Sequence, residues 1–378
     1  MVDNKSEKWD EVFSANRASF ERFEKLLRDL VENLIKNEGI HVQISSRTKS
    51  IQSFKEKMER KEKEGKSYLD PLNQITDLVG IRIITHYLKD IDKISDLIKN
   101  EFEIDETNSL DKSEILDIDQ FGYKSVHYII SLSSSRRDLS EWGEFKKFKA
   151  EIQVRTILQH AWAEIDHEIR YKNEENIPAE IKRRIYRLMA LFELADEEFQ
   201  NLKYSTDEIK GKYLKDITGG YLKIKLNILS LGSYFLYTKQ DEKWMKISNN
   251  IMPEIFELYE TDKDIRAAVV IVKNFENHAN IANLEKLLNR LEINNLKEFD
   301  EILHDADKWG KDALKQTYKG WLDEQIDFTQ NGVYSFWFDP YFNISILVCH
   351  AYKEAIFANP TILDNIDCLW VVKKAWKI

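Results

Sequence analysis

Polar side chains suited to acid–base and phosphate chemistry lie along two strand-like runs near the middle of the chain. Alternation along the second run, from Phe148 to Thr156, places three of them on one face of a strand: Glu151, Gln153 and Arg155. The first run, from Phe121 to Ile130, alternates in the same way and carries His127 on its polar face. These side chains can bind a metal ion or a phosphate, or accept a proton. The alternative is an ordinary solvated face of an antiparallel sheet.

Helices and strands around these runs predict the domain that positions them. Helical periodicity extends from Trp9 to about Lys36, and Gly39 ends that helix. A short strand over Ile40–Ile44 follows, then a basic helix. Asp77–Ile84 has the pattern of a turn followed by a buried strand, and Ile91–Phe102 that of an amphipathic helix. We therefore expect an α+β domain with a mixed central β-sheet flanked by helices.

Several ordered motifs give this region a family resemblance. They are Asp77-Leu78-Val79-Gly80-Ile81-Arg82, Gly122-Tyr123-Lys124-Ser125-Val126-His127, Glu151-Ile152-Gln153-Val154-Arg155-Thr156 and His160-Ala161-Trp162-Ala163-Glu164. Separated motifs in a fixed order are more specific than a single match. Together they resemble the RelA/SpoT-type alarmone synthetases, in the form of a small alarmone synthetase with a carboxyl-terminal extension. These enzymes transfer pyrophosphate from ATP to the 3′-hydroxyl of a guanine nucleotide.

The resemblance implies an ATP site and a magnesium site. Three cationic side chains match the family positions that hold the ATP phosphates: Arg47, Lys49 and Lys57. Arg82 is implied to contact phosphate as well. Asp77 and Glu151 are implied to hold the catalytic Mg²⁺, and Glu151 could also be the base that accepts the proton of the attacking hydroxyl. A loop with a solvated basic helix is the alternative for the cationic residues.

The resemblance also implies an acceptor site for GDP or GTP. Tyr123 is implied to stack on the guanine base and His127 to contact the acceptor phosphate, with Gln153 and Arg155 near the nucleotides. Asp119-Gln120-Phe121 stands where many family members have a lysine and an asparagine, which leaves GDP, GTP, GMP and a tRNA end open as acceptors.

Two other functions compete with alarmone synthesis. Some relatives are toxins that pyrophosphorylate the 3′ end of tRNA, and several basic residues could hold an RNA backbone or be solvated loop charges: Arg136, Arg137, Lys146, Lys147 and Lys149. A catalytically silent fold whose helical tail binds a protein partner is the third hypothesis. The segment before Arg47 is too short for the hydrolase domain of long family members, so we expect synthetase activity alone.

The second half of the chain carries no family motif. We expect two domains, a synthetase domain over residues 1–203 and a mostly helical domain over residues 204–378 with a regulatory role or an interaction role, through which a homo-oligomer or a protein partner could assemble. Helical patterns recur in Tyr221–Tyr237, Trp244–Tyr259, Ile265–Phe275, Ile281–Leu291, Phe299–Thr317 and Asn343–Ala358.

Net charge, cysteine content and hydrophobicity indicate the cellular compartment and exclude some classes of partner. The chain has 378 residues and a formal net charge of −10, so its overall field does not attract nucleic acid. Two cysteines, Cys349 and Cys368, lack metal-ligand spacing and are expected to be buried reduced thiols. No apolar run approaches the roughly 20 residues that a membrane-spanning helix needs, and the polar amino terminus lacks a signal region. We expect a cytoplasmic protein without a membrane partner.

Overall fold

The structure is a computed structural model that describes residues 3–111, 125–171, 178–257, 281–324, 340–366 and 369–378. The chain divides into two compact units, Met1–Tyr204 and Ser205–Ile378. Each unit has a hydrophobic core of its own. Among the described helices, none is both long enough and apolar enough to cross a membrane.

The first unit combines helices with one sheet. Its strands are β1 (Val42–Thr48), β2 (Val79–Thr85), β3 (Phe102–Ile104), β4 (Leu110–Asp111), β5 (Val126–Leu132) and β6 (Lys149–Thr156). Its helices are α1 (Asp3–Asn37), α2 (Ile51–Lys63), α3 (Pro71–Gln74), α4 (Leu88–Glu101), α5 (Ser134–Arg137), α6 (Ile157–Tyr171) and α7, which begins here and spans Ala179–Thr218. A 3₁₀ helix covers Ser140–Phe145.

The sheet is mixed, as the sequence predicts. Its strand order is β1-β2-β6-β5-β3, and β4 pairs with β5. Strands β2 and β6 run parallel, whereas the β1–β2, β3–β5, β4–β5 and β5–β6 pairs are antiparallel. The predicted α+β fold with a mixed central sheet is therefore confirmed.

One face of this sheet is apolar and forms the core. Alternate residues of β2, β5 and β6 are buried there, among them Ile81, Ile83, Tyr128, Ile130, Ile152 and Val154. Helix α1 packs on the same core through Phe13, Phe23 and Leu27. Their spacing repeats with the helical period, which gives α1 a continuous apolar stripe. Gly39 follows the helix at φ 67°, a left-handed conformation that glycine adopts without steric cost.

The second unit is helical. Its helices are α8 (Ile228–Thr238), α9 (Gln240–Glu257), α10 (Ile281–Arg290), α11 (Leu296–Glu324), α12 (Pro340–Ala351), α13 (Lys353–Ala358) and α14 (Trp370–Trp376). A 3₁₀ helix covers Pro360–Leu363. Cys349 is fully buried in this core, and burial raises the pKa of its thiol. Cys368 and the predicted helix Ile265–Phe275 lie outside the described residues.

Several element boundaries differ from the sequence prediction. Strand β1 extends to Thr48, beyond the strand predicted over Ile40–Ile44, because Ser45, Ser46 and Arg47 pair in register with β2. Strands β3 and β4 were not predicted, since each is too short to show alternation. The helix predicted from Tyr221 begins only at Ile228: the Asn227 side chain accepts a hydrogen bond from the Ser230 backbone and caps it. The helix predicted over Asn343–Ala358 is two helices, interrupted at Tyr352.

Candidate active site

The second face of the sheet carries the polar side chains that the sequence singled out. Cross-strand pairing sets their positions: Arg47 lies opposite Gly80, and Gly80 lies opposite Glu151. Further along, Gln153 lies between Arg82 on β2 and His127 on β5. Residues paired across neighbouring strands project from the same face. Four strands that are separate in sequence therefore present one polar surface.

Asp77 lies just before β2 and accepts hydrogen bonds from two lysines. Its Oδ2 accepts a hydrogen bond from Lys49 Nζ at 2.7 Å, and its Oδ1 accepts one from Lys57 Nζ at 2.8 Å. All three side chains are largely buried. Burial by itself would raise the pKa of Asp77, but the hydrogen bonds and charges of the two lysines hold it below its ordinary value. Asp77 is therefore an ionised carboxylate at neutral pH.

Glu151 on β6 is held by two neighbours on the same face. Its Oε1 lies 2.9 Å from His127 Nδ1, and its Oε2 accepts a hydrogen bond from Gln153 Nε2 at 3.1 Å. Burial opposes ionisation of Glu151, yet the hydrogen bond and the attraction from His127 leave the net pKa lowered. The charge of Asp77 acts in the opposite direction and raises the pKa of Glu151.

His127 connects Glu151 to two further side chains. Its Nε2 lies 2.9 Å from Ser125 Oγ and 3.2 Å from an Arg155 guanidinium nitrogen. Because a guanidinium can only donate, Arg155 donates to Nε2, and this fits the tautomer in which the Nδ1–H group donates a hydrogen bond to Glu151. Ser125 and Arg155 are buried. This hydrogen-bonded chain fixes the orientation of the Glu151 carboxylate.

Two arginines, Arg82 on β2 and Arg155 on β6, lie near the amino-terminal part of α6. Arg82 donates a hydrogen bond to Glu164 of α6 at 3.1 Å. Burial, and after it the charge of Arg82, lowers the pKa of Arg155. Burial and Arg82 also lower the pKa of His160 on α6. Two neighbouring guanidinium groups repel each other unless an anion balances their charge. Glu164 carries a single negative charge and therefore balances only one of them. The arrangement suits a phosphate-bearing ligand.

Arg47 lies across β2 from Glu151. A Cβ on Gly80 would lie 3.8 Å from Arg47 Cγ, so the arginine side chain passes over the glycine backbone. Of the ten predicted site residues, the structure brings nine to this face or its border. The tenth, Tyr123, lies outside the described residues.

Sequence reasoning assigned no role to Ser125 or to Glu164. Ser125 is two residues before His127 and therefore on the same strand face, which was the available signal. Glu164 is one helical turn after His160 and belongs to one of the family motifs, but its partner Arg82 is 82 residues away in sequence. Only folding brings those two side chains together.

The basic residues considered for RNA binding are mostly ion-paired. Arg136 pairs with Glu101, Arg137 pairs with Glu103, and Lys149 pairs with Asp105 at 2.7 Å. These pairs reduce the positive charge that an RNA backbone would need. The geometry around Arg136 and Lys149 therefore gives the tRNA hypothesis no particular support.

A model of a known protein family matches this region of the chain. Residues 46–176 match the family model described as "Region found in RelA / SpoT proteins". The matched range contains all ten predicted site residues. The predicted resemblance is confirmed, because this part of the chain matches a region found in RelA/SpoT proteins.

Two curated relatives come from Bacillus subtilis (strain 168). GTP pyrophosphokinase YjbM is 24% identical over 216 residues, which cover 56% of this chain and 96% of the relative. GTP pyrophosphokinase YwaC is 28% identical over 180 residues, which cover 46% of this chain and 80% of the relative. Both alignments leave a large part of this chain unmatched.

Solved structures of similar chains include small alarmone synthetase 1 from Bacillus subtilis, with 24% identity and a TM-score of 0.41 over 53% of this chain and 98% of that chain. A GTP pyrophosphokinase family protein from Streptococcus pneumoniae has 24% identity and a TM-score of 0.42 over 53% of this chain and 96% of that chain.

Proposed function

We propose that this RelA/SpoT chain is an ATP-dependent pyrophosphokinase that transfers the β,γ-pyrophosphate of ATP to the 3′-hydroxyl of GDP or GTP. The observation that carries the proposal is the polar sheet face, on which two ionised carboxylates, Asp77 and Glu151, lie together with lysines and arginines. The family match over residues 46–176 and the names of both curated relatives support it.

The reaction needs a base and a way to stabilise charge. The 3′-oxygen of the acceptor attacks the β-phosphorus, a new oxygen–phosphorus bond forms, and the bond from the β-phosphorus to the α,β-bridging oxygen breaks, so AMP leaves. The hydroxyl proton passes to a base. Glu151 can accept it because its lowered pKa keeps the carboxylate ionised, and therefore free of a proton, at neutral pH. His127 and Gln153 hold its two oxygens in one orientation.

Magnesium fits the acidic pair. Mg²⁺ usually takes one or two carboxylates from a protein and completes its shell with water and substrate phosphates. Asp77 and Glu151 would supply those carboxylates, and a divalent cation would relieve their repulsion. Within the described ranges no group of three metal-ligating side chains occurs. When bound, the ion neutralises charge on the phosphate oxygens.

The cations would bind the donor nucleotide. Lys49 and Lys57 both reach Asp77, so they lie beside the proposed metal position and can contact phosphates bound to it. Arg47 and Arg82 line the same face on β1 and β2. Tyr123 would stack on the acceptor base, and His127 and Arg155 would contact the acceptor's phosphates. A reaction that uses ATP and GTP belongs in the cytoplasm, where these nucleotides are abundant.

The helical unit from Ser205 onward would regulate the synthetase or bind a partner. Its separate hydrophobic core supports an independent role.

The test is a transfer assay with purified full-length protein and ATP labelled at the γ-phosphate. GDP, GTP and deacylated tRNA are offered separately, and the products are separated by chromatography. Label in GDP or GTP, dependent on Mg²⁺, is the expected result. Label in tRNA alone would replace the acceptor proposal with the toxin function, and label in none would favour a silent binding module.

Glu151→Gln is the matched negative variant because it removes the base and a metal ligand with little change in volume. Glu103→Gln makes the same chemical change on β3, in the same sheet but outside the site, and should leave transfer unchanged. Equal loss in both variants would contradict a specific role for Glu151.

A further inference from the structure

Strand β6 passes directly into helix α6, with no loop between them. Thr156 is the last residue of β6, and Ile157 is the first residue of α6. The Thr156 backbone N–H donates to Gln159 Oε1 at 2.9 Å, and the Gln159 backbone N–H donates to Thr156 Oγ1 at 3.1 Å. Such reciprocal hydrogen bonds form a capping box, which fixes the first turn of a helix. We call residues 156–159 the β6–α6 junction.

The hydroxyl of Thr156 needs an acceptor for its proton. Its oxygen already accepts from Gln159, and Thr156 exposes no surface to water. Buried polar groups are almost always hydrogen-bonded. Asp196 on α7, 40 residues further along the chain, supplies the acceptor, because Thr156 Oγ1 donates to its Oδ2 at 2.7 Å. The Asp196 carboxylate therefore holds the hydroxyl in the one rotation that also serves the capping box.

Helix α7 also binds the segment that follows the neighbouring strand. One turn after Asp196, Gln200 Oε1 accepts a hydrogen bond at 2.9 Å from the backbone N–H of Lys89, in the first turn of α4. Helix α4 follows β2, which runs parallel to β6 with Thr85 paired to Thr156. Helix α7 thus contacts the carboxyl ends of both parallel strands.

The β6–α6 junction lies between side chains of the candidate active site. Arg155, which contacts His127, directly precedes Thr156. Glu164, which accepts a hydrogen bond from Arg82, lies on the second turn of α6. A change in the direction of α6 at its first turn would therefore move Glu164 relative to Arg82 and disturb the backbone that carries Arg155.

We propose that Asp196 is a positioning residue for pyrophosphate transfer, an inference that rests on the function proposed above. Asp196 is 2% exposed, so it acts through Thr156 and not on a nucleotide. It holds the Thr156 hydroxyl, the capping box holds the first turn of α6, and the junction then keeps Arg155 and Glu164 in place.

Removal of either partner tests the contact by kinetics of the full-length protein. Asp196→Ala removes the acceptor, and Thr156→Val removes the hydroxyl with little change in shape. Each should lower kcat about ten- to hundredfold, because small displacements of positioned groups have effects of that size. KM for ATP should change little, since the lysines beside Asp77 do not depend on α6. Thr156→Ser keeps the hydroxyl and should retain most of the activity.

The double variant tests whether Asp196 acts through Thr156. In Thr156→Val the carboxylate has no hydroxyl to hold, so adding Asp196→Ala should cause little further loss of kcat. Side chains that act through one contact show such non-additive effects. Fully additive losses of kcat would show that Asp196 and Thr156 act separately, and would sink the proposal.

Hydrogen–deuterium exchange measures the junction without relying on activity. Peptides that cover residues 155–162 should exchange roughly tenfold faster in Asp196→Ala and in Thr156→Val, because the first turn of α6 opens more often. Peptides from β1 and α2 should exchange as in the wild type, which shows that the fold is kept. Glu197→Gln is the matched control: it removes a carboxylate from the next residue, which is exposed, and should change neither exchange nor kcat.

The two measurements separate the possible failures. Faster exchange at the junction with an unchanged kcat would overturn the positioning role, and so would unchanged exchange in both variants. A wild-type protein that transfers pyrophosphate to no acceptor would refute the proposed function instead, and the exchange data alone would then decide whether Asp196 holds the junction.

Discussion

His127 lies opposite Gln153 in the β5–β6 register, yet its Nδ1 lies 2.9 Å from Oε1 of Glu151, the next residue on that face of β6. This diagonal contact leaves Nε2 for Ser125 and Arg155. The proposed base is thus oriented by a histidine on a neighbouring strand, and that histidine is oriented in turn by a buried serine.

Ser125→Ala should lower turnover without unfolding the protein. A hydrogen bond of this kind contributes about 0.5–1.5 kcal/mol, so we expect kcat to fall by a factor of about two to ten, with little change in KM for ATP. Steady-state kinetics of pyrophosphate transfer would measure both. Ser131→Ala on the same strand is the control, and an equal effect of the two substitutions would argue against a specific role for Ser125.

Lys57→Gln should weaken ATP binding. The lysine would lose a charged contact to phosphate, and such contacts contribute about 1.5–3 kcal/mol, so the dissociation constant for a non-hydrolysable ATP analogue should rise about tenfold or more. Isothermal titration calorimetry measures it directly. Lys55→Gln, two residues away on α2, removes the same charge, and a similar rise there would show that only overall charge matters.

The folded state should lose stability in acid. Both Asp77 and Glu151 have pKa values below their ordinary values of 3.8 and 4.5 in the folded chain. Their contribution is fully present above those ordinary values and is lost as the pH falls through the lowered folded values. Urea denaturation between neutral and strongly acidic pH should show this decline. Asp77→Asn should flatten it, and an unchanged pH dependence in that variant would contradict the ion pairs with Lys49 and Lys57.

Tyr123→Ala should abolish transfer while leaving the fold intact. Stacking of a base on an aromatic ring contributes on the order of 1–3 kcal/mol, so affinity for the acceptor should fall most. Tyr123→Phe keeps the ring and should retain most activity. Circular dichroism checks the fold, and normal turnover by the alanine variant would remove this residue from the acceptor site.

Gly310→Ala should destabilise the helical unit. A Cβ at this position of α11 would lie 2.5 Å from a ring carbon of Trp244 and 2.9 Å from Leu347. Overpacking of this kind costs about 1–3 kcal/mol. Gly232→Ala in α8 meets no atom within 4 Å, and it should instead stabilise its helix by about 0.5–1 kcal/mol. Chemical denaturation of both variants measures the contrast, and equal stability of the two would contradict the packing described around Gly310.

Local sequence determined the elements and the polarity of their faces. Alternation in β6 gave Glu151, Gln153 and Arg155 a common face, and helical spacing gave α1 its apolar stripe, because both depend only on backbone periodicity. The motifs over Asp77–Arg82 and Glu151–Thr156 also indicated the family from residue order alone.

Tertiary structure decided which of these side chains meet. The strand order β2-β6-β5 places Asp77, Glu151 and His127 on one surface, and no local pattern specifies that order, since it follows from how the whole apolar face is buried. Asp77 pairs with Lys49 and Lys57, which are 28 and 20 residues away in sequence, because the fold brings β1, α2 and β2 together.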